Sequence, residues 1–424
     1  MHDGRIIPAA IGLSHEEQFQ RLAEGCPDAV SRAFLAGDPC YDRMLASAPR
    51  RLHYRHAFHL RPGQRLITVN STWRENSLFG LDPLFTQRLL SELPFDEFRV
   101  ALILHPNVWA SHGAQQIESW LFDARRAGLI LLPPQEGWRA AVVASDWVLS
   151  DHGSVGMYAA AVGRPVLLEQ SGRPGIDPHS GLGRLFDVAP PLDPHAPIRP
   201  QLEHAERMRE RTHEVAATWI SSAPEKSLQL IRDEVYRIFG DVPPATGLPR
   251  LAVPSPTIDD ALPTSLWTRV EQGASGKLSV HRTPATVAGD HRGVLLVSDE
   301  ELDHRLTGTA DIIRITSLAL PADEETWSAA VFEHRIGVQL TIVHDRQGAR
   351  VRTRNGACTT ILLDSISHPD DAELLFAVLA ERILTAGPDA AALSPLTVHA
   401  SRERTISAEF HVRTAPPPTR GGRA

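Results

Sequence analysis

Three apolar runs, each passing directly into polar hydrogen-bonding residues, carry the chemistry open to this chain. Residues 65–69 (RLITV) lead into Asn70-Ser71-Thr72-Trp73-Arg74, residues 100–104 (VALIL) into His105-Pro106-Asn107, and Trp147–Ser150 into Asp151-His152-Gly153-Ser154. Arginine grips phosphate through a planar fork of donors, which suits Arg74 to a phosphorylated ligand. His105 is the candidate for donating a proton to a phosphate or leaving-group oxygen, and so the one candidate catalytic residue. Backbone amides over Gly153, Ser154 and Val155, with the Ser154 hydroxyl, suit a diphosphate at a helix start. The plain alternative is an ordinary strand-to-helix loop with Asp151 or Ser154 as helix N-cap.

These segments need a scaffold, and residues 1–240 read as one. Short apolar strands at 65–69, 100–104, 129–132, Trp147–Ser150 and Val166–Leu168 alternate with helices at 16–22, 83–93, 114–127, 137–144 and from about Val155. Gly163-Arg164-Pro165 stops that last helix. Alternation of this kind predicts βαβ units and a parallel sheet, and ligands of such sheets sit outside the carboxyl ends of the strands. Three polar strand ends in one sheet therefore predict one shared crevice. Two amphipathic helices, 201–221 and 225–239, follow.

Residues 241–264 are proline-rich and read as a linker. Beyond them the pattern changes. Strands are expected at 277–281, 293–297, 312–315, 338–343, 349–353, 359–363, 396–400 and 405–412, with helices at 324–333 and 371–384. This predicts a smaller α+β domain over 265–412 with antiparallel hairpins, one of them turning at Asp345-Arg346-Gln347-Gly348. Residues 413–424 read as a disordered tail.

Composition narrows the function. The chain has 424 residues, 42% apolar and 22% charged, as in a folded globular protein of two or three domains. A net charge of −8 and no Lys/Arg-rich run argue against nucleic acid as a partner. Three cysteines, Cys26, Cys40 and Cys358, fit a reduced cytoplasm better than a disulfide framework. No apolar run is long enough to span a bilayer, which leaves peripheral membrane association open. No metal-ligand spacing and no cofactor motif is evident. His53, His56 and His59, among Arg50, Arg51, Arg55 and Arg61, read as a solvated arginine-rich segment rather than a metal- or anion-binding face.

The segments Gly37-Asp38-Pro39 with Asp42, Ser71-Thr72-Trp73-Arg74, His105-Pro106, Ser150-Asp151-His152-Gly153-Ser154 and Gly163-Arg164-Pro165-Val166 fall in a characteristic order. Over about residues 8–200 the chain resembles the carboxyl-terminal, donor-nucleotide half of GT-B enzymes of the CDP-glycerol glycerophosphotransferase group, the teichoic-acid polymerases. It is also similar to UDP-N-acetylglucosamine 2-epimerases, and to actinobacterial proteins with a Gly-Asp-His-Gly-Ser turn. The resemblance implies an α/β, Rossmann-like parallel sheet. It implies a nucleotide-activated donor, CDP- or UDP-linked, as substrate and no separate cofactor. It maps Arg74, His105 and Ser154 onto contacts with the donor's phosphates, sets Asp151 at the turn as a structural or hydrogen-bonding residue with His152, Gly153 and Val155 beside the same donor, and suggests glycosyl- or glycerophosphotransfer in cell-envelope polymer synthesis.

The turn here is Asp-His-Gly-Ser where the transferases have Asp-x-Ser-Ser. Residues 6–14 look like the strand entering the donor half, so an acceptor half has no counterpart upstream. The expectations that follow are a missing amino-terminal half, a partner protein, or a non-catalytic descendant that binds a nucleotide or a protein. A nucleotide-sugar epimerase is the other enzyme reading. An α/β-hydrolase elbow does not fit, because His152 stands where a small residue is needed. Gly273 to Lys277 is not a phosphate-binding loop, because Leu278 follows the lysine.

Overall fold

The structure is a computed structural model that describes residues 6–249, 251–259, 262–273, 277–287, 289, 292–387, 395–401 and 404–415. Residues 1–5, 274–276 of the glycine-lysine segment, and 416–424 of the expected tail lie outside the described residues.

The chain starts with a two-stranded parallel sheet, β1 (Ile11–Leu13) beside β2 (Ala33–Leu35), with α1 (Glu17–Gly25) between them. Two helices follow: α2 (Pro39–Ser47), absent from the sequence expectations, and α3 (Arg51–Ala57), in the arginine-rich segment that read as a solvated helix or loop. The main sheet comprises β3 (Arg65–Ser71), β4 (Phe98–Leu104), β5 (Ile130–Leu131), β6 (Trp147–Ser150) and β7 (Val166–Leu168), all parallel, as the alternation predicted. Its order is β5-β4-β3-β6-β7. The chain builds outward from β3 through β4 to β5, then returns to β3's other side for β6. The topological switch point therefore lies between β3 and β6.

The strands are bridged by α4 (Leu78–Leu81) and α5 (Phe85–Glu92), by α6 (Pro106–His112), α7 (Ala114–Trp120) and α8 (Phe122–Arg126), and by α9 (Trp138–Ala144) and α10 (Ser154–Ala161). The helix expected over 114–127 is two helices, interrupted at Leu121, whose side chain is buried. Then come α11 (Gly181–Val188), α12 (Ile198–Ile220) and α13 (Ser227–Phe239). Both faces of the sheet are covered by apolar clusters, so β4 is buried at all seven positions. That explains its continuous rather than alternating apolar run.

The proline-rich stretch is bonded along the α/β half as a strap. Val253 is buried, its amide donating to Ser47 Oγ at 2.8 Å and its carbonyl accepting from the Tyr54 hydroxyl at 2.7 Å. Beyond it strands and helices mix, with antiparallel hairpins as expected, and the strands go further than hairpins. Strands β8 (Ser265–Gln272), β9 (Leu278–Pro284), β10 (Val294–Ser298), β11 (Ile312–Thr316), β12 (Leu340–His344), β13 (Gly348–Thr353), β14 (Cys358–Ile366), β15 (Leu396–His399) and β16 (Thr405–Ala415) close into a barrel. The β10-β11-β12 run is parallel because α14 (His304–Thr309) and α15 (Glu324–His334) act as crossovers. The β12–β13 hairpin turns where expected, with Asp345 Oδ1 accepting from the amides of Gln347 and Gly348.

Helix α16 (Ala372–Ala386) is buried continuously from Leu374 to Glu381 and clusters with inward residues of the barrel such as Val280, Leu296, Ile342 and Phe410. A helix without a solvent face is wrapped by its sheet. Residues 413–415, expected as part of a tail, extend β16, where Thr414 pairs with Thr359 of β14. No described helix is long and apolar enough to cross a membrane.

Candidate functional site

The carboxyl ends of β4, β3 and β6 are neighbours in the sheet, so His105, the Thr72–Arg74 segment and the Asp151–Ser154 turn stand side by side. The loop leaving β3 and the turn leaving β6 flank the switch point.

Asp151 holds these two segments together. It is fully buried. Its Oδ2 accepts from the Thr72 amide (2.8 Å), the Thr72 hydroxyl (2.9 Å), the Ser71 hydroxyl (3.2 Å) and the Leu78 amide (3.0 Å), and its Oδ1 from the Gly153 amide (3.2 Å). With five donors on one carboxylate, Asp151 is a brace turned inward rather than a group facing a ligand or capping the helix. The N-cap position is taken by Gly153. A Cβ there would lie 2.7 Å from Thr72 Cγ2, so the close approach of the two loops requires glycine.

His152 also turns inward. The Thr72 proton is committed to Asp151, so His152 Nε2 donates to Thr72 Oγ1 at 3.2 Å. Its Nδ1 is buried without a hydrogen-bond partner among the described residues, packed where a Cβ on Gly172 would stand 2.0 Å away. Of the predicted donor-facing turn, Ser154 is exposed and Val155 half-buried. Among the described residues no side chain caps α10, so its first-turn amides are open to an anion.

Arg74 is exposed, at φ +75°, in the left-handed region. Its carbonyl accepts from the amide and hydroxyl of Ser77 (3.1 and 2.7 Å), a local turn that offsets the strain. A Cβ on Gly80 would sit 2.2 Å from that carbonyl oxygen. The Arg74 guanidinium lies over the Trp73 ring at 4.1 Å from its centre, and Trp73 stacks with His105 at 6.3 Å and 21°. His105 caps α6 through Nδ1, which accepts from the Asn107 amide at 3.1 Å. The neutral ring therefore carries its proton on Nε2, the nitrogen suited to donate toward a ligand.

Two residues gain importance beyond the sequence reading. Trp73 joins Arg74 to His105, and the Thr-Trp-Arg segment was its available signal. Glu169, at the end of β7 beside the turn, is buried; Oε1 accepts from the amide and hydroxyl of Ser171, while Oε2 has no hydrogen-bond partner among the described residues.

The Gly37-Asp38-Pro39 segment supports the site from behind. Asp38 caps α2 by accepting from the Tyr41 amide and takes a hydrogen bond from Tyr158 of α10 at 2.8 Å. Burial, reinforced by the Asp38 charge, pushes the Tyr158 phenol well above its ordinary value, so it stays a donor. Asp42 accepts from the amides of Glu225 and Ser227 and from the Ser227 hydroxyl, capping α13. Burial raises the nearby Cys40 thiol, which suits a structural rather than a reactive cysteine. No cluster of metal-ligating side chains occurs among the described residues.

No protein-family model matches the chain, and no curated protein does. Among solved structures it is similar to the wall teichoic acid polymerase TagF, at 14% identity and TM-score 0.41, over 55% of this chain and 58% of that one. It is similar to the UDP-GlcNAc 2-epimerase of Neisseria meningitidis bound to UDP-GlcNAc, at 16% identity and TM-score 0.35, over 54% of this chain and 61% of that one. The S. aureus MnaA–UDP structure is similar at 16% identity and TM-score 0.37, over 56% of this chain and 64% of that one. The chain thus spans less than two thirds of each of these structures.

Proposed function

We propose that the chain binds a nucleotide-activated donor, CDP- or UDP-linked, at the carboxyl edge of its parallel sheet and serves glycosyl- or glycerophosphotransfer. One observation carries this reading: the open amino end of α10 and the Trp73–Arg74 segment face each other across the β3/β6 switch point. Open α/β sheets bind their ligands at such a point, where helix amides meet the charge of a phosphate. The diphosphate would take the amides and hydroxyl at Ser154 and the guanidinium of Arg74. His105, with its proton on Nε2, would donate a hydrogen bond to the phosphate or leaving-group oxygen and stabilise the charge that develops there. Asp151 and His152 would hold the geometry without touching the donor.

The nucleotide-sugar 2-epimerase reading draws on Glu169, whose Oε2, without a hydrogen-bond partner among the described residues, would be a second acid–base group beside the turn. Calorimetry with CDP-glycerol, UDP-N-acetylglucosamine and the free nucleotides tests both. Micromolar binding that falls about tenfold or more in Arg74→Ala and in Ser154→Ala supports the donor site. Absence of binding by every member of the set removes both enzyme readings. Epimer formation from UDP-N-acetylglucosamine, lost in Glu169→Gln, would favour the second.

A further inference from the structure

A polar pocket of 500 Å³ opens at the amino edge of the parallel sheet, where Arg65 starts β3, Trp147 starts β6 and Arg164-Pro165 lead into β7. Helix α3 contributes Arg51 and Arg55 to its lining, and α12 contributes Glu206 and Arg209. The donor crevice lies at the opposite edge. The seven residues of β3 separate the two, roughly 20 Å at 3.3 Å per residue.

The charges around this pocket do not pair off. Asp146 is fully engaged: its Oδ1 accepts from Arg51 at 2.6 Å, and its Oδ2 from Arg55 at 2.7 Å and the Leu66 amide at 2.8 Å. Arg209 lies 3.6 Å from Glu206 and 3.2 Å from Glu210. Arg65 is taken up by the rings of Trp147 and Phe98 and by a further partner. Arg164, by contrast, forms no ion pair among the described residues and reaches only the Ser145 carbonyl, at 3.5 Å. Arg51, Arg55, Arg164 and Arg209 thus face three carboxylates, and the guanidinium left over is that of Arg164.

The chain itself holds Arg164 in this position. Helix α10 ends where Gly163 takes φ +76°, the Arg164 amide donates back to the Ala159 carbonyl at 2.9 Å, and Pro165 turns the chain into β7. Arg164 is half-buried there. Burial and the neighbouring Arg51, Arg209 and Arg55 pull its guanidinium down to about 10, against the opposing charge of Asp146. Donors remain available nonetheless. Arg51 Nη1 and Arg164 Nη2 make no hydrogen bond among the described residues and stay open to solvent, and Arg209 is exposed.

We propose that this pocket binds the phosphate group of a small anionic ligand, seated on Arg164 with Arg51 and Arg209 beside it. Arginine's planar fork of donors matches phosphate oxygens, and an anion here replaces like-charge crowding with neutralisation. The volume exceeds what a bare ion needs and suits a small molecule. The lining is dominated by charged side chains, so the rest of that molecule is polar rather than apolar. None of the donor-site residues takes part, and the proposal stands whether or not that site binds a nucleotide.

The test is calorimetry and thermal unfolding of the full chain carrying Arg74→Ala and Ser154→Ala, so that the donor crevice does not compete for the probe. Inorganic diphosphate is expected to bind saturably and to raise the melting temperature, and chloride at matched ionic strength to do neither. Arg164→Gln added to this background should weaken diphosphate about tenfold. Arg209→Gln, a change to an exposed side chain of α12, should weaken it to a similar degree and guards against misfolding of the first variant. Arg50→Gln removes the same charge from an exposed position outside the pocket and should change the affinity less than about twofold.

Vesicles containing phosphatidate separate the two sources of such a phosphate. Diphosphate binding without cosedimentation of the chain identifies a soluble ligand. Cosedimentation that Arg164→Gln abolishes identifies a lipid headgroup in the same pocket. Lack of saturation by diphosphate, unchanged affinity in both Arg164→Gln and Arg209→Gln, or an equal loss in Arg50→Gln would each overturn the proposal. A lower melting temperature in Arg164→Gln with unchanged affinity would do the same, by making Arg164 a structural residue only.

Discussion

Asp96 and Arg282 form a doubly hydrogen-bonded ion pair across the seam between the parallel sheet and the barrel, each side chain only 1% exposed. Asp96 precedes β4 and Arg282 lies in β9, so the pair joins residues far apart in sequence. The Phe95 amide, donating to the Arg282 carbonyl at 2.8 Å, lies beside it. Removing one partner leaves the other charge buried without its neutralising group, which costs about 3–5 kcal/mol. Asp96→Asn should therefore lower unfolding stability by about that amount in urea titration. A loss below about 1 kcal/mol would mean the seam contributes little to stability.

The same seam sets the response to acid. Burial alone pushes the Asp96 carboxyl up, but Arg282, Arg61 and Arg404 outweigh it and hold the group below its ordinary value. Burial likewise opposes Glu373, where Arg314 and Arg282 prevail, and Glu301, where the Thr264 hydroxyl and Arg126 do. Depressed folded-state values mean the stabilisation is fully present above the unfolded carboxylate range, about pH 4, and is lost as pH falls through the folded values. Unfolding stability should thus decline steeply below about pH 4, and less steeply in Asp96→Asn. An identical slope in the variant would show that Asp96 is not one of the groups responsible.

Asp151→Ala removes a carboxylate that satisfies five donors, among them the buried Leu78 amide. Each buried donor left without a partner costs about 1–3 kcal/mol, although water can enter the vacated space and recover part of it. The expected result is a loss of about 2–4 kcal/mol in stability and weaker donor binding, because the Thr72–Arg74 loop loses its anchor. Asp151→Asn should fall between, since its amide nitrogen cannot accept. If affinity falls while stability and loop order stay unchanged, Asp151 contacts the ligand and the bracing role is wrong.

The legible parts of this chain were those whose cause is local. The strands of the parallel sheet announce themselves as short apolar runs, and the polar residues that end them mark the crevice. The position of β6 next to β3 is a tertiary outcome, and it is what brings Asp151 onto Thr72. The inward turn of His152 depends on Gly172, a contact no spacing rule exposes. Barrel closure was equally hidden. Residues 312–315 and 338–343 read as strands, but nothing local tells that they pair in parallel or that the helix starting at Ala372 is enclosed by them. His56 in α3 and His59 just after it are exposed, as the solvated reading has it; that they also line a cleft facing the β12–β13 turn depends on where the barrel stands, which no local signal gives.

Trp73 gives the sharpest separation of binding from stability. Its ring is exposed, lies under the Arg74 guanidinium and stacks with His105, so it spans the crevice without belonging to the core. Truncating an exposed side chain outside the core usually changes stability by less than about 0.5 kcal/mol. An exposed cation–π contact is itself worth only about 0.5–1 kcal/mol. A bound nucleotide, however, would use both the ring face and the guanidinium it orients. Trp73→Ala should therefore leave the melting transition nearly unchanged while weakening CDP- or UDP-linked donors about tenfold, and Trp73→Phe should recover part of the loss through the remaining ring face. Calorimetry and thermal unfolding on the same samples separate the two effects. Unaltered donor affinity in Trp73→Ala would place the nucleotide elsewhere than across the ends of β3 and β4.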